Sequence, residues 1–209
     1  MIHAMPDYTL ELSLPGPVVG IDEAGCGPWA GPVMAGAAIL FPDKLPRSFL
    51  SELNDSKKLT AKKRYNLYEV LCACQGEGAV WASGIATVEE IDALNIRQAA
   101  MLAMRRAVEK LPVQPRSALV DGIVPPQLEC FVKTVKKGDS LSLSIAAASI
   151  VAKVERDLLM QKLAQEFPHY GWHTNAGYGT ATHMSAIKQF GITVHHRKTY
   201  SPIAALLVA

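Results

Sequence analysis

Apolar and polar positions alternate along this chain in blocks of two periods. Val18 to Ile21 form a short unbroken apolar run closed by Asp22 and Glu23, and a longer run covers Val33 to Phe41. Between them the segment AGCGPWAGP supplies three glycines and two prolines, which interrupt regular structure. Two strand-like runs joined in this way predict a hairpin or closely paired ribbon near the start of a sheet. Thr60 is placed to cap a helix running to about Cys74, and GAVWASGIAT reads as a further strand. Thr87 and Glu90 form a T-x-x-E capping box. It opens a helix in which Ile91, Leu94, Met101, Leu102 and Val108 recur at helical spacing, closed by Pro112.

SALVDG is a short apolar run ending in Asp121 and Gly122, and FVKTV is a strand leading into KKGD. A long helix is predicted from about Ser142 to Phe167, its start rich in small residues that allow close packing on a sheet. The remainder holds the glycine-rich loop NAGYGT, a helix ending near Gly191, the polar stretch VHHRKTYSP and a short apolar tail. This order implies a mixed α/β sheet with helices on its faces. Residues 1–167 are expected to form that core. Residues 168–209, with no strand long enough to found a sheet, are expected to be a helical appendage packed on it.

The 209 residues suit one domain with a small appendage, and 49% hydrophobic against 19% charged residues excludes wholesale disorder. Twenty-one basic and nineteen acidic residues leave a net charge of +2. Net charge alone therefore argues against a nucleic-acid protein. The cysteines at 26, 72, 74 and 130 give a C-x-C but no C-x-x-C, so free thiols are expected rather than a disulfide framework or zinc site. No apolar run approaches the roughly 20 residues that cross a bilayer, and the start lacks a basic segment followed by an apolar one. The expectation is a cytoplasmic monomer with no membrane partner.

The positions of the acids change this picture. Asp22, Glu23 and Asp121 each close an apolar strand beside glycine, and Asp139 follows a strand in KKGD. Ligand sites of α/β sheets gather at the carboxyl ends of strands. Four carboxylates converging there repel one another unless cations lie between them. Oxygen ligands alone favour Mg²⁺ or Mn²⁺ over zinc, and such a set suits two-metal phosphodiester hydrolysis. The bland alternative is that strand-end acids are solvated turn residues or helix caps, since Asp-Gly is a common turn pair. Spacing leaves both readings open.

The segments VGIDEAGCGPWAGPV, NDSKKLT, LVDG, VKKGDSLSLSIAAASIVAKVERD, GYGTATH and HHRKTYSP, in this order, resemble bacterial ribonuclease HII over residues 18–203. The resemblance implies an RNase H-like fold and a metal-dependent endonuclease that cuts the RNA strand of RNA/DNA hybrids. It also implies incision 5′ to a single ribonucleotide in duplex DNA, leaving a 3′-hydroxyl and a 5′-phosphate. By matching motifs, Asp22, Glu23, Asp121 and Asp139 are the catalytic and metal-binding carboxylates. Asp22 and Asp139 are expected to flank the nucleophile-side metal, with Glu23 and Asp121 completing the two shells.

A ribose differs from a deoxyribose in its 2′-hydroxyl alone, which both donates and accepts. Gly25, Cys26 and Gly27 directly follow the acid pair, and glycines let backbone amides approach a sugar or phosphate closely. The resemblance implies that this loop reads the 2′-hydroxyl and a neighbouring phosphate. The family carries Gly-Arg-Gly or Gly-Lys-Gly here, so Cys26 stands where a cation is expected. Tyr178 matches the family tyrosine that packs on the following deoxyribose, while Asn175 and Ala176 replace a His-Lys pair. Lys57 and Lys58, in the DSK motif, are expected to hold phosphates as point charges. The run Lys62 to Arg64 reads as a solvated helix face. Lys153 is an accessory candidate as a structural or phosphate partner, and His183 and Arg197 are candidates to assist proton transfer or product release. His183, His195 and His196 lack the regular spacing and cysteine partners of a zinc site.

Three rival functions remain. Another acid-cluster nuclease would not need the glycine loop and tyrosine together. A catalytically silent RNA/DNA hybrid-binding protein would be expected to lack a carboxylate, and all four are present. A dinucleotide-binding enzyme is disfavoured because GCGPWAG is not G-x-G-x-x-G and Pro28 and Pro32 spoil the required helix start.

Overall fold

The computed structural model describes residues 5–207, so the first four residues of the expected core and the last two of the apolar tail lie outside the described residues. Five strands, β1 (Val18–Ala24), β2 (Val33–Leu40), β3 (Ala79–Ala86), β4 (Ser117–Asp121) and β5 (Phe131–Val135), form one sheet in the spatial order β3-β2-β1-β4-β5. The first three pair antiparallel, as the glycine-rich turn between β1 and β2 predicts, while β1, β4 and β5 run parallel. The helices are α1 (Thr9–Leu12), α2 (Arg47–Glu52), α3 (Ala61–Ala73), α4 (Val88–Leu94), α5 (Ile96–Glu109), α6 (Leu143–Glu166), α7 (Trp172–Asn175), α8 (Ala181–Phe190) and α9 (Ser201–Leu207). None is long and apolar enough among the described residues to cross a membrane.

The sheet is covered on both faces, which is why β1 and β2 read as apolar runs rather than alternating patterns. Val19, Ile21 and Ala35 pack with Ala99, Ala103 and Met104 of α5. Ala38 and Leu40 pack with Ala147, Ile150 and Val151 of α6 and with Leu67 and Leu71 of α3. The small residues at the start of α6 bring its backbone onto β1 so closely that a Cβ on Gly20 would fall 2.1 Å from the Ser144 carbonyl carbon. Any larger residue would push the helix off the sheet.

The helix expected to run from Thr87 to Pro112 is two helices. Thr87 and Glu90 do form the reciprocal capping box, but Asn95 takes φ 71° and ends α4. Its side-chain oxygen then accepts from the Arg97 and Gln98 amides and starts α5. Beyond residue 167, Trp172, Ile187 and Ile203 gather on Met160, Leu163 and Ala164. The first half of α6 thus serves the sheet and its last turns serve the C-terminal helices.

Candidate active site

Strand β1 delivers Asp22 and Glu23 on successive residues, so their side chains leave opposite faces of the strand end. The neighbouring parallel strand β4 delivers Asp121 at its last residue, and a tight turn over Gly138–Ser140 delivers Asp139 just before α6. Asp121 Oδ1 accepts from the Gly138 amide at 2.7 Å, which ties the turn to the strand end. The start of α6 is fixed from behind: Ser142 caps it, and the buried Glu11 accepts from Ser142 Oγ at 2.6 Å and the Ser144 amide at 2.9 Å. A carboxylate at a helix N-terminus meets its free amides and the positive end of the dipole.

One oxygen from each of Asp22, Asp121 and Asp139 lies within 4.8 Å of the others. Glu23 stands outside this trio yet close enough to act on Asp22. Burial, then the charges of Glu23 and Asp121, push the Asp22 carboxyl well above the usual range. Burial and Asp121 raise Glu23, while burial, Asp55 and Asp121 raise Asp139 to about 6. Asp22 is 4% exposed and Asp139 7%. Three converging carboxylate oxygens held against their own repulsion, with no soft ligand among them, fit a hard divalent cation.

Sequence reasoning passed over Asp55, which it grouped with the lysines after it, although its carboxyl faces Asp139. The Asp55 side chain accepts from the Lys57 amide at 2.9 Å and shapes that loop. Burial lowers the Lys57 ammonium, but Asp22, Asp55, Asp139 and Glu23 together outweigh it and raise its pKa. Lys58 Nζ donates to Ser140 Oγ at 2.8 Å, beside Asp139.

The loop from Gly25 to Pro32 is held by two buried arginines. Arg197 donates to the carbonyls of Gly25 at 2.6 Å, Gly31 at 2.9 Å, Cys26 at 3.1 Å and Pro32 at 3.2 Å. Arg156 donates to Pro32, Ala30 and Ala176. Gly25 has φ +98° and its missing Cβ would sit 2.1 Å from Arg156 Nε, so only glycine fits. In a trans peptide the carbonyl and the next N–H point in opposite directions. Turning the Gly25 and Cys26 carbonyls onto Arg197 therefore turns the Cys26 and Gly27 amides away from it, and neither donates to an acceptor among the described residues.

The Cys26 thiol donates to Glu23 Oε1 at 3.8 Å, and burial followed by the Glu23 charge pushes it up to about 12. It stays neutral and brings no charge to the loop. Tyr178 is 49% exposed, and a Cβ on Gly27 would lie 3.3 Å from its Cε1. Gly25, Cys26, Gly27, Lys57, Lys153, Tyr178 and Glu23 line one cavity of ≈ 190 Å³. Lys153 also pairs with Asp157 at 2.6 Å.

Other expected residues lie elsewhere. Arg197 is fully buried against the loop, where its hydrogen bonds go to loop carbonyls and to the Tyr200 hydroxyl. His183 is buried among the C-terminal helices, where its Nδ1 meets the Tyr178 carbonyl at 2.9 Å and its Nε2 meets His196 Nε2 at 3.0 Å. The Thr193 amide donates to His196 Nδ1, so His196 donates from Nε2 and His183 from Nδ1, both neutral. Burial pulls His183 down, and burial with His183 pulls His196 to about 4. His183 thus fixes the Tyr178 backbone, and a proton-transfer role for it has no geometry here. Arg64, expected on a solvated face, is buried and donates to the Ser56 and Leu59 carbonyls, while Lys62 and Lys63 are exposed. Asn175, expected to stand with Ala176 in place of a His-Lys pair, donates to the Tyr170 carbonyl and accepts from the Gly177 amide, shaping the loop that carries Tyr178.

The family model described as Ribonuclease HII matches residues 19–201. A ribonuclease HII of Paramagnetospirillum magneticum is 52% identical over 98% of this chain and 100% of its own length. That of Gluconobacter oxydans is 52% identical over 98% of each chain. Among solved structures, the ribonuclease H2 of Pyrococcus horikoshii superposes with a TM-score of 0.74 at 27% identity, covering 90% of this chain and 96% of that one.

Proposed function

The chain belongs to the ribonuclease HII family, and from that premise we propose that it is a metal-dependent endoribonuclease acting on the RNA strand of RNA/DNA hybrids. Its second substrate is duplex DNA with a single embedded ribonucleotide, cut on the 5′ side to leave a 3′-hydroxyl and a 5′-phosphate. Residues 1–167 are read as the catalytic core and 168–209 as an extension that contributes Tyr178. The protein is read as a cytoplasmic monomer.

The observation that carries this reading is the convergence of Asp22, Asp121 and Asp139 within 4.8 Å, beside a cavity lined by Cys26 and Gly27, whose amides are unpaired among the described residues. Asp22, Asp121 and Asp139, with Glu23, would hold the cation, Mg²⁺ or Mn²⁺. A cation held there would make a bound water more acidic and would offset the charge that builds on the phosphate.

The rest of the work falls to the chain itself. Lys57, close enough to feel four carboxylates, keeps its charge and offers it to the phosphate. The Cys26 and Gly27 amides can donate to the 2′-hydroxyl and to a phosphate oxygen, contacts that need no side chain at position 26. The exposed Tyr178 ring beside Gly27 lies flat against the next sugar, which favours one without a 2′-hydroxyl. Ribose reading and deoxyribose preference at adjacent positions define an RNA-to-DNA junction. Lysine contacts to phosphates carry no base information and suit action at any sequence.

The test is cleavage of a DNA duplex containing one ribonucleotide, with Mg²⁺, Mn²⁺ or EDTA. Cutting with either metal, abolished by EDTA and by replacing the ribose with deoxyribose, is expected. Binding without cutting in both metals would instead support a silent hybrid-binding protein.

A further inference from the structure

Glu23 and Cys26 form a common wall between two cavities. One is the cavity of Gly25, Gly27, Lys57 and Tyr178. The other, of ≈ 260 Å³, is bounded by Asp121 and Gly122–Val124 on one side and by α5 on the other. A cavity of about 150 Å³ takes a benzene ring, so this one admits a single sugar or base. Arg97, Ala100, Met101 and Met104 line it at the i, i+3, i+4, i+7 spacing of one helix face.

Its chemistry is polarised. Glu23 and Asp121 stand at one end, and the floor is apolar, with Ile123 76% exposed and Val124 40%. Arg97 is exposed and makes no ion pair and no side-chain hydrogen bond among the described residues.

We propose that this cavity binds the nucleotide on the 5′ side of the scissile phosphate, and that Arg97 holds the next phosphate along the strand. The inference rests on the endonuclease reading above. A strand whose scissile phosphate lies at the acids, with its ribonucleotide in the cavity of Tyr178, enters this second cavity by crossing the shared Glu23–Cys26 wall. Glu23 and Asp121 are taken up with the cation at their own end and the rest of that side is apolar, so an uncharged sugar or base lies over the floor. The following phosphate then falls toward Arg97, the unpaired cation of this lining among the described residues, and a guanidinium binds phosphate well.

The experiment uses a duplex with one ribonucleotide, and the same duplex with an uncharged methylphosphonate at the phosphate assigned to Arg97. Arg97→Ala is expected to raise KM on the normal duplex roughly tenfold and to reduce the salt slope of binding by about one. The wild type should lose about as much on the methylphosphonate duplex, and Arg97→Ala should lose nothing more. Ile123→Glu, at an exposed position, should raise KM as well by placing an anion in the cavity. Unchanged KM and salt slope in Arg97→Ala, or a full methylphosphonate penalty in that variant, overturns the subsite while an active wild type keeps the endonuclease reading. A wild type that cuts no ribonucleotide duplex overturns both.

Discussion

Arg156 and Arg197 share the Pro32 carbonyl at 1% and 0% exposure, and no carboxylate pairs with either among the described residues. Asp22, Asp121 and Asp139 crowd together with comparable burial of Asp22 and Asp139. Both regions bury like charges, which is unfavourable unless the charges are compensated. The arginines are compensated from within: seven donated bonds end on carbonyls of the loop and of Ala176. The acids are compensated hardly at all, with one amide each for Asp22 and Asp121 and Lys57 nearby. A finished set of contacts marks a scaffold, and an unfinished one marks a place for a guest. Here the scaffold holds the loop proposed to read the 2′-hydroxyl, and the unfinished set lies at the proposed reacting centre.

Substitutions should therefore move stability in opposite directions. Arg197→Met is expected to destabilise the fold by about 3–5 kcal/mol, since carbonyls are left bare at roughly 1–3 kcal/mol each; the urea midpoint measures this. Arg197→Lys should not restore it, because one ammonium cannot reach acceptors spread over residues 25–32. A neutral effect of Arg197→Met would dissolve the contrast. Asp22→Asn should lower single-turnover cleavage by about 10²–10³-fold, the size of effect seen when a transition-state contact is lost. In EDTA the same variant should melt no lower than wild type, because it relieves repulsion.

The pH dependence sharpens the contrast further. Asp139 is raised to about 6 in the fold, so the folded state holds its proton more tightly than the unfolded chain does. Its contribution is fully present below the ordinary aspartate range near pH 4 and is lost as pH rises to about 6. In EDTA, the stability advantage of Asp139→Asn over wild type should grow across that window and level off above it. An advantage independent of pH would show that Asp139 carries no such strain. Saturating Mg²⁺ at neutral pH should stabilise the wild type by about 2.7 kcal/mol at a hundred times its Kd, with little gain for Asp22→Asn. Smallest of all, Lys57→Ala should weaken substrate binding and reduce its salt slope by about one.

The acids were legible in the sequence because Asp22, Glu23 and Asp121 each end an apolar run beside glycine, and strand ends are where parallel sheets leave side chains free. Asp139 could be read from the KKGD that follows a strand, and the helix behind it from its run of small residues. The arginine scaffold could not. Arg156 and Arg197 look like surface or phosphate-binding cations, and their partners lie 124 and 166 residues away at Pro32 and Gly31. Asp55 was masked by the lysines that follow it. The break at Asn95 carried a signal, an asparagine in mid-helix, but the apolar spacing continues across it and hides the change of axis. Near-zero net charge misled in a different way. It sums an acid cluster that could hold a cation with the lysines and arginines placed elsewhere, and the sum describes neither.

The central claim is that the acid cluster activates water while the loop only reads the 2′-hydroxyl. Mapping the ends left on a duplex cut at a single ribonucleotide tests it most directly. The account predicts a 3′-hydroxyl on the upstream fragment and a 5′-phosphate on a ribonucleotide whose 2′-hydroxyl is intact. A 2′,3′-cyclic phosphate, with the ribose on the upstream fragment, would mean that the substrate's own hydroxyl is the nucleophile and would contradict it.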